Sequence, residues 1–299
     1  MKYTITILLI PALVLAFTYY GGTQEPFHFW GAGIRALACG RAFVALADDS
    51  SAILWNPAGC ALLTSTEVMA TYARPFGNLY GTTYQTLTFA KPIRYSLADI
   101  PEMEKNMGTF SLAFAYARAS DIGSPDEPVQ VNYTDFLSAF SYAKDISKTM
   151  SLGFTFKIRR LSVADLSDTG FGFDMGIMMI PNEFIHLGLK LENIKGAQIK
   201  LKEIAQEDET NLWLGGDFTT TYIDILGAMN INLSGDKTIH AGVVFKPISN
   251  IDIMGGYTTN SDEFTLGCEA RFKHIGVGYC LGLGHTLGKT NMWSLRYIW

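Results

Sequence analysis

The chain is poor in charge. Asp, Glu, Lys and Arg make up 17% of its 299 residues, where an average soluble domain carries about 25%. Basic residues number 23 against 28 acidic ones, a net charge of −5, and no basic block occurs anywhere. Nucleic-acid binding is therefore excluded as the main role. Cysteine is scarce, with 4 residues, which excludes a disulfide scaffold, and the 29 glycines follow no fixed period, which excludes a collagen-like chain. The histidines His28, His186, His240, His274 and His285 are scattered and show neither H-x-x-H nor H-E-x-x-H spacing. There is no G-x-S-x-G elbow, P-loop or dinucleotide fingerprint, so no catalytic residue, metal or cofactor is expected. The glycine-rich Gly282-Leu283-Gly284-His285 precedes no helical pattern and is no phosphate cradle. Long apolar runs are missing too. Beyond residue 20 nothing approaches the ~20 residues that a membrane-spanning helix needs.

Apolarity itself is abundant: hydrophobic residues are 48% of the chain and aromatics 13%, so disorder is excluded. The first residues hold one charge, Lys2, followed by an apolar stretch from Ile5 to Phe17 and then Gly21-Gly22. That layout predicts a secretory signal peptide over residues 1–22. Ala36-Leu37-Ala38-Cys39 has the outline of a lipoprotein signal. It lies too far beyond the apolar stretch, and Ala36 stands where a large aliphatic residue is usual.

The remaining apolar residues recur with a period of two. Phe110, Leu112, Phe114 and Tyr116 alternate with Ser111, Ala113, Ala115 and Ala117. Met150 to Arg159, Phe171 to Met179, Ile185 to Glu192, Ile239 to Lys246 and Phe264 to Phe272 repeat the pattern. Period two means strands with one apolar and one small or polar face. Soluble sandwiches share it, with the apolar face inward. Three features favour a barrel with the apolar face turned to lipid. The segments are close to the ~10 residues that a tilted strand needs to cross a bilayer. The other face is rich in Gly, Ala, Ser and Thr, with charges of both signs. The connections also alternate. Tight turns at Lys144–Ser147, Pro181–Glu183, Thr219–Thr221, Pro247–Asn250 and Lys273–His274 face mostly longer loops at Ser120–Val131, Leu161–Asp168, Lys195–Glu209 and Gly284–Thr290. Lys91–Met107 breaks the rule, being long on the tight-turn side.

The fold predicted is an all-β transmembrane antiparallel barrel of about 14 strands over residues 65–299, placed in a bacterial outer membrane among its lipids. Its last strand carries Trp293, Leu295, Tyr297 and Trp299 on the outer face. Tyr297 and Trp299 resemble the signal read by the outer-membrane barrel assembly machinery. The charges assigned to the inner face, among them Lys157, Arg159, Asp174, Lys190, Asp252, Glu269, Arg271 and Arg296, have both signs, which points to mutual pairing and to pairing with a plug through Arg35, Arg41, Asp48 and Asp49. Cys268 and Cys280 flank a tight turn, but the alternation sends them to opposite faces, so no bridge is expected between them. Cys39 and Cys60 read as small hydrophobes.

Residues 23–64 do not alternate. Arg35 to Ala47 suits short helices, Asp48-Asp49-Ser50-Ser51 offers N-cap chemistry, and Trp55-Asn56-Pro57-Ala58-Gly59 is a turn. Ahead of the first strand, such a module is expected to fill the lumen as a plug, or hatch, of short helices. The string from Arg35 to Gly59 resembles the N-terminal motif of the FadL-like outer-membrane protein family, most closely its PorV/PorQ branch. Arg35, Gly40, Asp48, Asp49, Trp55, Asn56, Pro57 and Gly59 all match. Cys39, Arg41 and Cys60 depart from it, and Arg41 replaces a flexible glycine. The resemblance implies a hatch-gated passage for hydrophobic small molecules such as long-chain fatty acids. Its PorV/PorQ side implies instead a component of a type IX secretion system that binds secreted proteins or other secretion-system subunits. A purely structural barrel is the third reading.

Overall fold

The computed structural model describes residues 31–75, 77, 81–97, 100–124, 127–201, 204–284 and 288–299. The predicted signal peptide, the first residues of the predicted plug segment, His28 and His285 lie outside them. In chain order the strands are β1 (Glu67–Arg74), β2 (Thr83–Leu97), β3 (Ile100–Ser124), β4 (Glu127–Asp145), β5 (Met150–Val163), β6 (Leu166–Asn182), β7 (Ile185–Glu192), β8 (Gln198–Leu201), β9 (Ile204–Glu207), β10 (Asn211–Thr219), β11 (Ile223–Asn232), β12 (Lys237–Ile248), β13 (Ile251–Thr258), β14 (Glu263–Phe272), β15 (Ile275–Gly284) and β16 (Gly288–Ile298). Fourteen of them form one closed antiparallel barrel in which each strand pairs with its neighbour in sequence, β7 passing directly to β10. β8 and β9 form a separate hairpin that packs against β6. The barrel closes where β1 meets β16, with Glu67 opposite Ile298, and paired bonds between Thr66 and Trp299 at 3.2 and 3.0 Å extend the seam.

Burial runs opposite to that of a soluble protein. Along β5, Ser151, Thr155 and Arg159 are buried while Phe154 is 53% exposed; along β14, Thr265 and Glu269 are buried while Leu266 is 59% exposed. The outer surface is a continuous belt of Phe, Leu, Ile, Val and Trp, many paired as rings, such as Phe110 with Tyr142 and Phe156 with Phe173. A surface of this kind is stable only against hydrocarbon, and a closed barrel leaves no unpaired strand edge there. No described helix is long and apolar enough to cross a membrane.

Several connections differ from expectation. Most of Ser120–Val131 and Leu161–Asp168 belongs to strands: β5 and β6 join through Ala164 and Asp165, with Ala164 at φ 52°. Lys195–Glu209 carries the β8–β9 hairpin. Lys91–Met107, the long segment on the tight-turn side, extends the β2–β3 hairpin, with register shifts at Pro92/Arg94 and Ser96/Leu97. Proline has no N–H for the ladder, which accounts for an irregularity at Pro92.

All four cysteines are free. Cys268 pairs opposite Tyr279 on the outer face, while Cys280 opposes Gly267 on the inner face, as the alternation requires. Cys39 and Cys60 are buried in the plug, and burial pushes both thiols up to about 12, so neither forms thiolate near neutral pH. In detergent, N-ethylmaleimide is expected to add once to the folded protein, at Cys268, and four times after unfolding. Intact-mass measurement reads the count, and rapid labelling of Cys39 or Cys60 in the folded barrel would contradict the burial.

Candidate functional site: the plugged lumen

Three short elements precede the barrel: α1 (Ile34–Ala38), α2 (Ala52–Trp55) and a 3-10 turn over Pro57–Leu62. α1 lies against β14 and β15, and the 3-10 turn against β4, β5 and β6, so the segment fills the lumen. The local chemistry explains the turns. Asn56 is extended, at φ −156°, as a residue before proline prefers. Its Oδ1 accepts from Ala58 N at 3.2 Å, and Pro57 opens the turn, where its missing N–H costs nothing. Asn56 Nδ2 donates to Val44 O at 2.8 Å and to Ile177 O of β6 at 3.1 Å, joining plug to wall. Trp55 Nε1 donates to Ala32 O at 2.8 Å. Gly59 abuts Ala47, whose carbonyl oxygen would lie 1.8 Å from any Cβ placed there.

The wall is built to receive this backbone. A Cβ at inward-facing Gly153 would stand 2.3 Å from Pro57 C, one at Gly188 2.1 Å from Val44 O, and one at Gly256 2.0 Å from Gly40 N. The small residues on the inner face therefore do not simply leave an open pocket, since Gly153 seats the plug. Gly40, at φ 61°, is gripped on three sides. Its N–H donates to Thr265 Oγ1 at 3.2 Å, and its carbonyl accepts from Thr258 Oγ1 and from His240 Nδ1, each at 2.8 Å. Arg41 follows with φ 67°, a left-handed conformation that favours glycine. The backbone shape of a glycine is kept here without the glycine, and Arg41 Nη2 reaches Glu263 Oε2 of β14 at 3.4 Å.

Arg35 anchors a second cluster. Its Nη1 lies 2.5 Å from Asp48 Oδ1 and 3.5 Å from Asp49 Oδ2, its Nε is 4.0 Å from Asp252 Oδ2 of β13, and its guanidinium lies over the Phe43 ring. Asp49 is fully buried and also accepts from Ser51 N at 2.9 Å and Ser51 Oγ at 2.5 Å. Burial alone would raise the Asp48 carboxyl, but the adjacent Arg35 charge prevails and holds it below the ordinary aspartate value. All eight motif residues thus lie in the plug, in three groups set against different strands. Tyr297 and Trp299 are remote from it. They form a ring pair at 5.5 Å on the outer surface, where Trp299 also meets Phe89.

Most inner-face charges pair along the wall rather than with the plug. Lys246 meets Asp224 at 2.7 Å, Arg159 meets Asp135 at 2.6 Å, Arg296 meets Glu269 at 2.8 Å, and Arg271 meets Asp252. Plug-to-wall contacts made by charged groups are fewer: the Arg35–Asp252 and Arg41–Glu263 pairs, Ser50 N to Glu67 Oε1 at 2.8 Å, and Lys190 Nζ to Leu54 O at 2.7 Å. The plug is seated chiefly by backbone contact with glycine and by neutral hydrogen bonds.

The plug divides the lumen. At the end holding the first strand's start and the C-terminus, a polar cavity is lined by Arg35, Asp48, Glu67, Lys246, Arg271 and Arg296. At the far end a cavity of about 120 Å3 has Leu54 and Trp55 of the plug on one side and Leu137, Trp213 and His240 on the wall. Each of its cations has a carboxylate partner: Lys157 meets Asp174 at 2.7 Å, Lys190 meets Glu192 at 2.7 Å and Asp174 at 3.3 Å, Arg159 meets Asp135, and Arg41 meets Glu263. Arg159 also binds Asp208, tying the loop after β9 to the wall. The cavity thus combines an aromatic half with a half whose cations are all ion-paired. Among the described residues no group of three or more His, Cys, Asp or Glu is placed to hold a metal. Of the cavity residues, Trp213 went unnoticed in the sequence. Its signal was a large ring in the inward phase of β10, between Asn211 and Gly215.

A closed barrel of fourteen strands with an N-terminal segment in its lumen defines the class: an outer-membrane type of β-barrel with the FadL-like fold. No family model matches the sequence, and no curated protein is detectably similar to it. Solved structures do match. CymD, a monoaromatic hydrocarbon channel, superposes with a TM-score of 0.64 at 11% identity, covering 91% of this chain and 98% of that one. The Ralstonia pickettii toluene transporter TbuX gives 0.60 at 10% identity over 90% and 98%. A Pseudomonas aeruginosa FadL homologue gives 0.59 at 12% identity over 89% and 96%. At these identities the likeness is one of fold.

Proposed function

We propose that the protein carries small hydrophobic molecules across the outer membrane, entering the lumen from the far end and leaving past a movable plug. The observation that carries this reading is the aromatic cavity directly above a plug held by neutral hydrogen bonds. Apolar solutes gain nothing from a water-filled pore, and they do gain from leaving water for such a lining. The likeness to TbuX, a toluene transporter, and CymD, a monoaromatic hydrocarbon channel, supports the same class of cargo. The size of the cavity favours a single ring over a long-chain fatty acid. Its ~120 Å3 is near the ~150 Å3 of an engineered void that takes up benzene, and a long acyl chain is several times larger.

Asn56 is the test of gating, because its amide joins plug and wall. In cells whose only route for toluene is this barrel, Asn56→Ala is expected to change toluene uptake several-fold while the barrel remains folded and heat-modifiable on gels. Unchanged uptake with a normally folded barrel would sink the gating idea. The secretion reading rests on the Arg35–Gly59 motif alone, and a secreted protein or secretion subunit co-purifying from the native membrane would favour it instead.

A further inference from the structure

The lipid-facing wall carries a groove of about 500 Å3 across four neighbouring strands, β16, β1, β2 and β3. Register sorts its outward side chains into three levels. Lowest, Leu295, Ala70, Leu87 and Phe114 stand side by side, and the small Ala70 among large neighbours makes the hollow. Above them lie Trp293, Tyr72, Gln85 and Tyr116, with the Trp293 and Tyr72 rings 5.9 Å apart. Above these again, Arg118 is opposite Thr83 and Arg74 opposite Asn291, with Lys289 one outward position further along β16. The ladders beneath the groove are unbroken, so it is a surface hollow and no opening into the lumen. The levels rise toward the far end. Tight turns such as residues 220–222 and 273–274 lie at the opposite end, and short turns face the periplasm, so the far end belongs to the outer leaflet.

The upper levels hold groups that the protein itself does not satisfy. Gln85 presents an amide to the lipid belt, and no described residue hydrogen-bonds to it. A lone amide is costly in hydrocarbon. Arg118 and Lys289 make no ion pair with a described residue. Arg74 meets only Tyr72, its Nε donating to the hydroxyl at 3.0 Å with the guanidinium over the ring. No outward position of residues 68–74, 83–91, 110–118 or 289–297 is acidic. An uncompensated cationic level thus stands over an aromatic and then an apolar one. The partner that matches carries phosphate at the level of the arginines, polar linkages at Gln85 and acyl chain at Ala70. Guanidinium groups bind phosphate through paired hydrogen bonds, Trp and Tyr favour the headgroup boundary, and basic clusters at a membrane attract anionic lipid.

We infer that this groove docks a phosphorylated, acylated lipid of the outer leaflet against the outside of the barrel, with its phosphate between Arg74 and Arg118 and an acyl chain over Ala70. The inference rests on the outer-membrane placement and is independent of what passes through the lumen.

The probe is diphosphoryl lipid A, titrated into the purified full chain in dodecyl maltoside and read as the lipid-bound fraction by native mass spectrometry. Arg74→Gln combined with Arg118→Gln is expected to weaken binding about thirtyfold, since each cation beside an anionic lipid is worth roughly a fivefold change. Lys237→Gln combined with Lys273→Gln removes the same charge from exposed positions on β12 and the β14–β15 turn, and is expected to leave binding unchanged. Ala70→Phe fills the hollow without altering any charge or strand bond. It is expected to weaken lipid A binding as well, an effect that attraction to a positive surface alone would not produce. Phosphatidylethanolamine, whose headgroup has no net charge, is expected to bind weakly and to be indifferent to the arginine pair. All the substituted side chains are outside the lumen, and heat-modifiable migration checks that each barrel is closed. Lipid A that fails to bind the native protein, or that binds the arginine variant as tightly as the native one, would overturn the inference. So would an equal loss in the lysine variant, or an Ala70→Phe barrel that binds like the native one. Each of these failures leaves the transport reading standing, because the groove is separate from the lumen.

Discussion

Replacing Gly256 with leucine is expected to convert a plugged barrel into an open one. Gly256 lies on the inner face of β13, and a Cβ there would stand 2.0 Å from Gly40 N and 2.2 Å from Cys39 C. Both obstacles are backbone, which cannot swing aside as a flexible side chain does. The turn at Gly40 must then leave the wall. It would lose the bonds from Gly40 N to Thr265, from Thr258 and His240 to the Gly40 carbonyl, and from Thr265 Oγ1 to Ala38 O. Overpacking of this kind costs about 1–3 kcal/mol, and four hydrogen bonds at roughly 1 kcal/mol each add a similar amount. The strand ladders are untouched, so the barrel should stay closed. An eight-strand barrel is filled by its own side chains, whereas fourteen strands enclose a wider lumen. Planar-bilayer conductance is therefore expected to be near zero for the native protein and to rise to that of a wide pore in the variant, while heat-modifiable migration persists. Gly227→Leu is the control: its position faces outward, with nothing within 4 Å of the added Cβ. A folded Gly256→Leu barrel that conducts no more than the native one would refute the seating argument.

The second large effect is expected at Arg35. Removing its guanidinium leaves Asp49, fully buried, with only the Ser51 donors, and leaves Asp252 with Arg271. Breaking one side of a buried ion pair costs about 3–5 kcal/mol, because the remaining charge stays uncompensated. Arg35→Ala is thus expected to release the N-terminal half of the plug, read as rapid amide exchange across Ile34–Ala47 in the native barrel. Arg35→Lys should rescue only partly, since a lysine cannot reach Asp48 and Asp49 with a planar fork. Acid offers an independent check. The Asp48 carboxyl is held below its ordinary value, so its contribution is complete above the ordinary carboxylate range and is lost as pH falls through the lowered native value. Slow exchange of the plug in Arg35→Ala, equal to the native protein at neutral pH, would show that glycine seating alone is sufficient.

The two predictions depend on different kinds of information. Which face of each strand meets lipid was legible in the sequence, because side chains alternate with a period of two and large apolar residues dominate one phase. The number of barrel strands and the separate character of residues 31–63 were legible for the same reason, one from the repeats and the other from their absence. The cysteines followed as well: opposite phases placed Cys268 outside and Cys280 inside.

Only the tertiary structure decided what the inner face does. A glycine in an alternating strand reads the same whether it borders open space, as an empty lumen would offer, or the backbone of another segment; Gly153, Gly188 and Gly256 turned out to border backbone. Inner charges read as pairing both with one another and with the plug, and closure decided the share: it sets Arg159 beside Asp135 and Lys246 beside Asp224, within the wall itself. Such pairs depend on register between strands, which period two leaves open. The cavity is the extreme case. Trp55, Trp213, Asn230 and His240 come from the plug and from three strands, and nothing local in the chain relates them. Their proximity exists because the ring of strands closes around the plug, so the barrel was written in short-range alternation while the site arose from long-range closure.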